Sequence, residues 1–224
     1  MHIFRHTGWT TDLCHIGFRC KPQPKIFCLK PLRINNLGGR IMQRYRTNWQ
    51  AKVTQGWQQA LEDEAYDVTG TLKFNNGKTI GRTTAHQILN AYWHKLDRTF
   101  FGHAADKGIG IDRWIFSEYG KTGDNLHFHF KAKAPIEPYY FCCIANVLWS
   151  RFHHHTARGI YNWITPTFLP VKSARYTVKE TRQFTYDVMG LAASHQNEPG
   201  IETETFQNSA QAQRILNKLT LDDI

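Results

Sequence analysis

The chain has 224 residues, of which 41% are hydrophobic, 13% aromatic and 21% charged. This composition excludes a disordered, collagen-like or disulfide-scaffold protein. Its 28 Lys and Arg against 18 Asp and Glu give a net charge of +10 before the 12 His are counted. The expected partner class is therefore a polyanion or an anionic membrane.

The basic excess lies at the N-terminus, where the first 50 residues hold nine Lys and Arg and a single acidic residue, Asp12. Residues 1–41 show neither helical nor alternating periodicity, and their apolar runs are too short for a signal peptide or a membrane span. We predict a folded domain over 42–190 and a polar linker with a C-terminal helix over 191–224. Residues 1–41 are expected to be a basic, flexible arm or an upstream extension of a chain whose structured part starts near Met42. Without CxxC spacing, the five cysteines are expected to be reduced.

The hydrophobic pattern predicts an amphipathic helix over 48–64 and a strand over 66–74, closed by an Asn-Gly turn with a short return strand at 79–82. Thr84 is the predicted N-cap of a helix that runs to about Phe101. The later predicted elements are strands at 113–119 and 126–132, a helix from Pro138 to about Phe152, an extended segment at 159–167, and helices at 171–188 and 208–221.

This order is strand, helix, two strands, helix, strand, helix. The two central strands are close in sequence and are expected to form an antiparallel hairpin. The predicted fold class is therefore α+β, an antiparallel sheet with helices packed on one face, as in ferredoxin-like or RRM-like folds.

The segment Leu126-His127-Phe128-His129-Phe130-Lys131 carries the clearest chemical signal. Because side chains alternate along a strand, the apolar residues face the core while His127, His129 and Lys131 share the other face. Two neighbouring imidazoles can supply two ligands of a metal ion, although a lone His-x-His is more often a pair of surface histidines.

Glu118 ends the preceding strand and is expected to pair with His127 across the hairpin. Its carboxylate would then lie beside both rings. Two histidines and one carboxylate leave open positions on a divalent cation, and the carboxylate favours Mg²⁺ or Mn²⁺.

The third signal is Tyr176-Thr177-Val178-Lys179-Glu180 on a predicted helix. The i, i+3 spacing puts the Tyr176 phenol and the Lys179 ammonium on one face, with Lys172 one turn earlier. A tyrosine can act as a covalent nucleophile, and a neighbouring cation stabilises charge on a transferring phosphoryl group. Alone, Tyr-x-x-Lys is more often a half-buried tyrosine beside a surface lysine.

Together, residues 117–120, 126–129 and 176–180, with a weaker first motif at 69–74, resemble the motifs of HUH endonucleases. The similarity is to the single-tyrosine initiators of rolling-circle replication. It spans about half of the chain, and the joint occurrence of the motifs in this order is far more specific than any one motif.

The resemblance implies that Glu118, His127 and His129 hold the metal. Tyr176 would attack a phosphodiester of single-stranded DNA and leave a 5′-phosphotyrosine and a free 3′-OH. Lys179 would position the tyrosine or the phosphate, with accessory roles for Glu180 and Lys172. The predicted DNA contacts are Lys73, Lys131 and Arg175.

The implied partners are single-stranded DNA or an origin hairpin, a DNA polymerase and a helicase of the host or of a partner protein, because the chain has no GxxxxGK[ST] loop. An intracellular protein without a membrane partner is expected, cytoplasmic in a bacterium or nuclear for a eukaryotic virus. The tripeptide His153-His154-His155 has no place in these motifs and is expected to be a surface cluster near a helix end.

Three alternatives stay open. An HUH transposase or mobilisation relaxase would share the metal motif, although transposases are usually shorter and relaxases carry the tyrosine before the histidines. A non-catalytic module could bind single strands on an open sheet, but would not need Glu118, two histidines and Tyr176 together. A membrane-surface protein is the weakest alternative because no strongly amphipathic basic helix is present.

Overall fold

A computed structural model describes residues 48–120, 122–179 and 188–219. The predicted arm, Glu180 and most of the second half of the predicted 171–188 helix lie outside these residues. The main elements are α1 (Asn48–Asp63), β1 (Val68–Lys73), α2 (Arg82–Phe101), β2 (Arg113–Glu118), β3 (His127–Ala132), α3 (Pro138–Phe152), β4 (Trp163–Pro166), α4 (Pro170–Thr177) and α5 (Ser209–Leu216).

The four strands form one antiparallel sheet in the order β2-β3-β1-β4. From β1 to β4 the chain runs strand, helix, strand, strand, helix, strand, which is the ferredoxin-like arrangement. The predicted α+β class with an antiparallel sheet is therefore confirmed. None of the described helices is long and apolar enough to cross a membrane.

The larger core lies between one face of the sheet and helices α2, α3 and α5. Alternate strand residues such as Ile115, Phe128 and Phe130 point into it, and α2 and α3 contribute Trp93, Phe141 and Trp149 among others. Burying this aromatic-rich face supplies most of the hydrophobic stabilisation of the fold.

Part of the opposite sheet face is covered by α1 and α4, which form a smaller core. Leu61 of α1 and Ala174 of α4 pack with Phe116 of β2. Helices thus lie on both faces. On this opposite face, α1 and α4 cover the β2 side of the sheet. The other edge strand, β4, is more open, and its Trp163 is 53% exposed.

Two local predictions are wrong. No return strand forms at 79–82, because the turn after β1 bonds elsewhere: the Asn75 N–H donates to the carbonyl of His155, and the Gly77 carbonyl accepts from Leu126. Helix α2 therefore starts early, at Arg82, with Gly81 rather than Thr84 at the N-cap and with no side-chain cap.

Residues 189–195 close the β2 edge of the sheet. Met189 forms a bridge with Phe116, and His195 forms one with Arg113. Ala212 of α5 is buried in the larger core. The described C-terminal residues are thus packed onto the sheet and the helices around it.

Candidate metal centre

Glu118 lies on β2, and His127 and His129 lie on β3, the second strand of the same hairpin. The register pairs Glu118 directly with His127, as predicted, and pairs Phe116 with His129. Because side chains alternate, all three polar residues point to the face opposite the larger core. All three are buried.

The ligand atoms of these side chains converge. Oε2 of Glu118 lies 3.2 Å from Nε2 of His127 and in close contact with Nε2 of His129. One ligand atom from each residue falls within 4.8 Å of the other two. The two imidazole centroids are 5.1 Å apart and the rings are nearly perpendicular.

The outer ring nitrogens of both histidines have their own partners. Nδ1 of His127 donates to the carbonyl oxygen of Asn125 at 2.8 Å, since a carbonyl can only accept. Nδ1 of His129 lies 2.9 Å from the Thr71 hydroxyl. With Nδ1 as the donor, a neutral His127 turns its Nε2 lone pair to the side of the Glu118 carboxylate, where the two groups can serve as ligands of one cation. Such outer partners are typical of metal-binding histidines.

The pKa shifts favour the ligand forms of Glu118 and His129. Burial alone would raise the pKa of Glu118, but hydrogen bonds from His129 and Lys179 lower it to about 2. Burial lowers the pKa of His129 despite its bond to Glu118, which favours the neutral imidazole. An ionised carboxylate and a neutral imidazole are the states that bind a divalent cation.

Tyr176 lies on α4 directly beside this group. Its ring packs edge-on against His129 with 4.9 Å between centroids. The side chain is 49% exposed, so it also faces solvent. Ala174 and Val178 flank it in sequence and are buried in the smaller core, which fixes the helix against the sheet.

Lys179 joins Tyr176 to Glu118. Its Nζ is 3.8 Å from the Tyr176 ring centroid and 2.7 Å from Oε2 of Glu118. Burial opposes protonation, but hydrogen bonds with Glu118 and Tyr176 raise the pKa of Lys179 overall. Helix α4 ends at Thr177, so Lys179 reaches the tyrosine from the following turn rather than from the predicted helix face.

The remaining predicted residues are spread around the centre. Lys73 is exposed and pairs with His127 across β1 and β3. Lys172 and Arg175 are exposed on α4. Lys131 shares the face of the histidines but is only 1% exposed, with Nζ 3.5 Å from the Thr167 hydroxyl, and burial lowers its pKa to about 8. Glu180 lies outside the described residues.

Sequence reasoning missed Thr71 and Asn125, which hold the outer nitrogens of the histidines. Thr71 lies in the weak first motif, and strand alternation could have put it on the correct face. Its pairing with His129 depends on the register of two strands far apart in sequence. Asn125 acts through its backbone carbonyl, for which the sequence carries no signal.

A cleft of about 580 Å³ opens next to His127, at the end of β1. Sequence reasoning did not predict it, because it forms between the turn after β1 and the short 3-10 helix Gly159–Tyr161. Among the residues that line it are Lys73, Asn76, Lys78, His127, Ile160 and Tyr161.

The three consecutive histidines lie at the C-terminal end of α3, as predicted, with their rings 4.0 to 5.2 Å apart. Their ligand atoms also lie within 4.8 Å of one another. However, Nδ1 of His153 accepts from the backbone N–H of His155 at 3.2 Å. This contact engages Nδ1 of His153, and the group of three histidines includes no carboxylate.

Comparisons with models of protein families, with curated proteins and with solved structures give no match to this chain.

Proposed function

We propose that the chain is a metal-dependent endonuclease of single-stranded DNA that nicks and transfers a strand through Tyr176, and that it initiates rolling-circle replication. The observation that carries this proposal is the contact of the Tyr176 ring with His129, within a group where Glu118 and His127 also converge. A nucleophile, an adjacent cation and a candidate metal centre are thus brought together by three separate segments.

The residues fit a divalent cation such as Mg²⁺ or Mn²⁺, with Glu118, His127 and His129 as its ligands. When bound, the cation supplies Lewis-acid polarisation of a phosphate oxygen. Asn125 and Thr71 orient the two imidazoles. The partial coverage by α4 leaves the exposed side of Tyr176 free to meet a polynucleotide.

In the proposed step, the Tyr176 oxygen bonds to the scissile phosphorus while the bond from phosphorus to the 3′ oxygen breaks. The phenol loses its proton and the 3′ oxygen gains one, which leaves a 5′-phosphotyrosine and a free 3′-OH. Because Lys179 has a raised pKa, it stays charged at neutral pH. It therefore stabilises negative charge on the phenolate and the phosphoryl group rather than acting as a base.

The test is cleavage of circular single-stranded DNA, including circles that carry a hairpin, in Mn²⁺. We expect nicking with a covalent adduct of protein and DNA, abolished by EDTA and by His127→Ala. The adduct is expected to be absent in Tyr176→Phe. His103→Ala, which removes a 90% exposed imidazole, and Tyr140→Phe on α3 are matched controls that should cut normally.

Two results would overturn the proposal. An adduct of normal yield in Tyr176→Phe would exclude this tyrosine as the nucleophile. Binding of single-stranded DNA without Mn²⁺-dependent cleavage would favour a non-catalytic binding module.

A further inference from the structure

The cleft beside His127 has no role in the chemistry described above, although it adjoins the candidate centre. Lys73 pairs with His127 on the neighbouring strand and also lines the cleft. His127, one of the proposed metal ligands, is itself among the residues that line the cleft. A ligand held at the centre could therefore continue into it.

The lining combines positive charge with an exposed aromatic surface. Lys73 and Lys78 contribute two ammonium groups, and none of the lining residues is acidic. Lys78 is 3.3 Å from the Asp124 carboxylate, but both side chains are about half exposed, and such a surface pair is weak. Ile160 and Tyr161 are 82% and 60% exposed, so both side chains present apolar surface to solvent at the cleft.

Polar groups suited to a nucleobase are present as well. Asn76 and the backbone of the turn it belongs to line the same cleft. The volume of about 580 Å³ lies within the range of small-molecule sites. Two cations for phosphate, an aromatic ring for stacking and amide groups for base edges together match one nucleotide.

We propose that this cleft binds the nucleotide that flanks the cleaved phosphate, with its backbone phosphate against Lys73 and Lys78 and its base stacked on Tyr161. This inference rests on the proposed function, because it takes the strand to be held at the Glu118–His127–His129 centre. The exposed ring of Trp163 lies on β4, in the same row across the sheet as Thr71 and His129. It extends the aromatic surface beyond the cleft.

The test measures binding of the full chain carrying Tyr176→Phe to a fluorescein-labelled 15-nucleotide oligodeoxythymidylate in Mn²⁺, which loads the centre while the missing phenol oxygen prevents cleavage. Tyr161→Ala is expected to weaken binding about tenfold, or about 1.4 kcal/mol, because one stacked base loses its platform. The double variant Lys73→Ala/Lys78→Ala is expected to reduce the salt dependence of binding by about one to two counterions.

Matched controls lie outside the cleft. Phe206→Ala removes another exposed aromatic side chain, and Lys107→Ala removes another exposed ammonium group. Both should bind like the parent protein. Thermal unfolding of each variant checks that the fold is intact, which is expected for Tyr161 because its side chain is mostly exposed.

Parent-like binding by both cleft variants would overturn the inference. A second probe, 2-aminopurine placed at each oligonucleotide position in turn, should show quenching that depends on Tyr161, and uniform signals in parent and Tyr161→Ala would also contradict it. Adduct formation in Mn²⁺ separates the two proposals. If the protein forms an adduct but the cleft variants bind DNA like the parent, the cleft proposal alone is rejected. If binding depends on Tyr161 but no adduct forms, the nuclease proposal is rejected.

Discussion

The ammonium nitrogen of Lys179 lies 2.7 Å from Oε2 of Glu118, the same oxygen that faces both histidines. Lys179 also lies over the Tyr176 ring. One side chain thus connects the proposed nucleophile with a proposed metal ligand. An ammonium group and a bound metal ion would both interact with the Glu118 carboxylate, so Lys179 is expected to compete with the metal for it.

Lys179→Met should therefore separate metal binding from chemistry. We expect the rate of adduct formation to fall about 100-fold, because a positive charge beside the reacting phosphoryl group is lost. Mn²⁺ affinity should stay equal or increase, because a competing cation is removed. Rapid-quench kinetics and calorimetric titration with Mn²⁺ measure the two quantities. A parallel loss of Mn²⁺ affinity would mean that Lys179 acts by holding Glu118 in place.

Thr71→Val should weaken Mn²⁺ binding by about tenfold or more, because the Thr71 hydroxyl orients the His129 ring. Calorimetric titration of the apoprotein measures the effect. Thr69→Val is the matched control, since Thr69 is buried on the same strand and face but contacts the Phe130 carbonyl instead. Equal affinities in the two variants would contradict a role for Thr71 in the centre.

The difference between Thr71 and Glu118 shows which parts of the site the sequence could predict. Glu118 and His127 belong to consecutive strands, so a simple hairpin register was enough to pair them. Thr71 and His129 are 58 residues apart, and their contact depends on β1 entering the sheet between β3 and β4. Strand alternation is local, whereas strand order is set by packing of the whole core.

The errors at 79–84 and at 178–179, where α4 has already ended, have the same origin. The turn after β1 is held by backbone bonds to residues near 126 and 155, which no local pattern encodes. Helix α4 ends where Val178 leaves helical geometry and is buried beside Phe116. Tertiary contacts decided both boundaries.

Gly70→Ala should destabilise the protein by about 1–3 kcal/mol through overpacking. A Cβ at this position would overlap the Phe130 ring and lie 3.1 Å from the Trp163 carbonyl oxygen. Urea unfolding measures the change. Gly56→Ala is the matched control, because nothing lies within 4 Å of its Cβ and alanine favours the α1 helix. A Gly70 variant as stable as its parent would show that the Phe130 ring does not pack tightly against β1 at Gly70.

Alkaline unfolding should depend on Tyr66. Burial raises the pKa of this phenol to about 12, although its hydrogen bond with Gln196 opposes the shift. The unfolded chain ionises near pH 10, so the stability associated with the protonated phenol is complete below pH 10 and is lost as the pH rises towards 12. Tyr66→Phe should show a shallower fall of unfolding free energy over that window. Parallel pH profiles for the two proteins would refute the assignment.

The most direct measurement of the central claim is the identity of the residue joined to DNA. The protein is incubated with single-stranded DNA and Mn²⁺, the DNA is trimmed with a nuclease, and the peptides are mapped by mass spectrometry. The account predicts a nucleotide attached through its 5′ phosphate to Tyr176. Attachment to any other residue, or a cleaved strand with no peptide adduct, would contradict it.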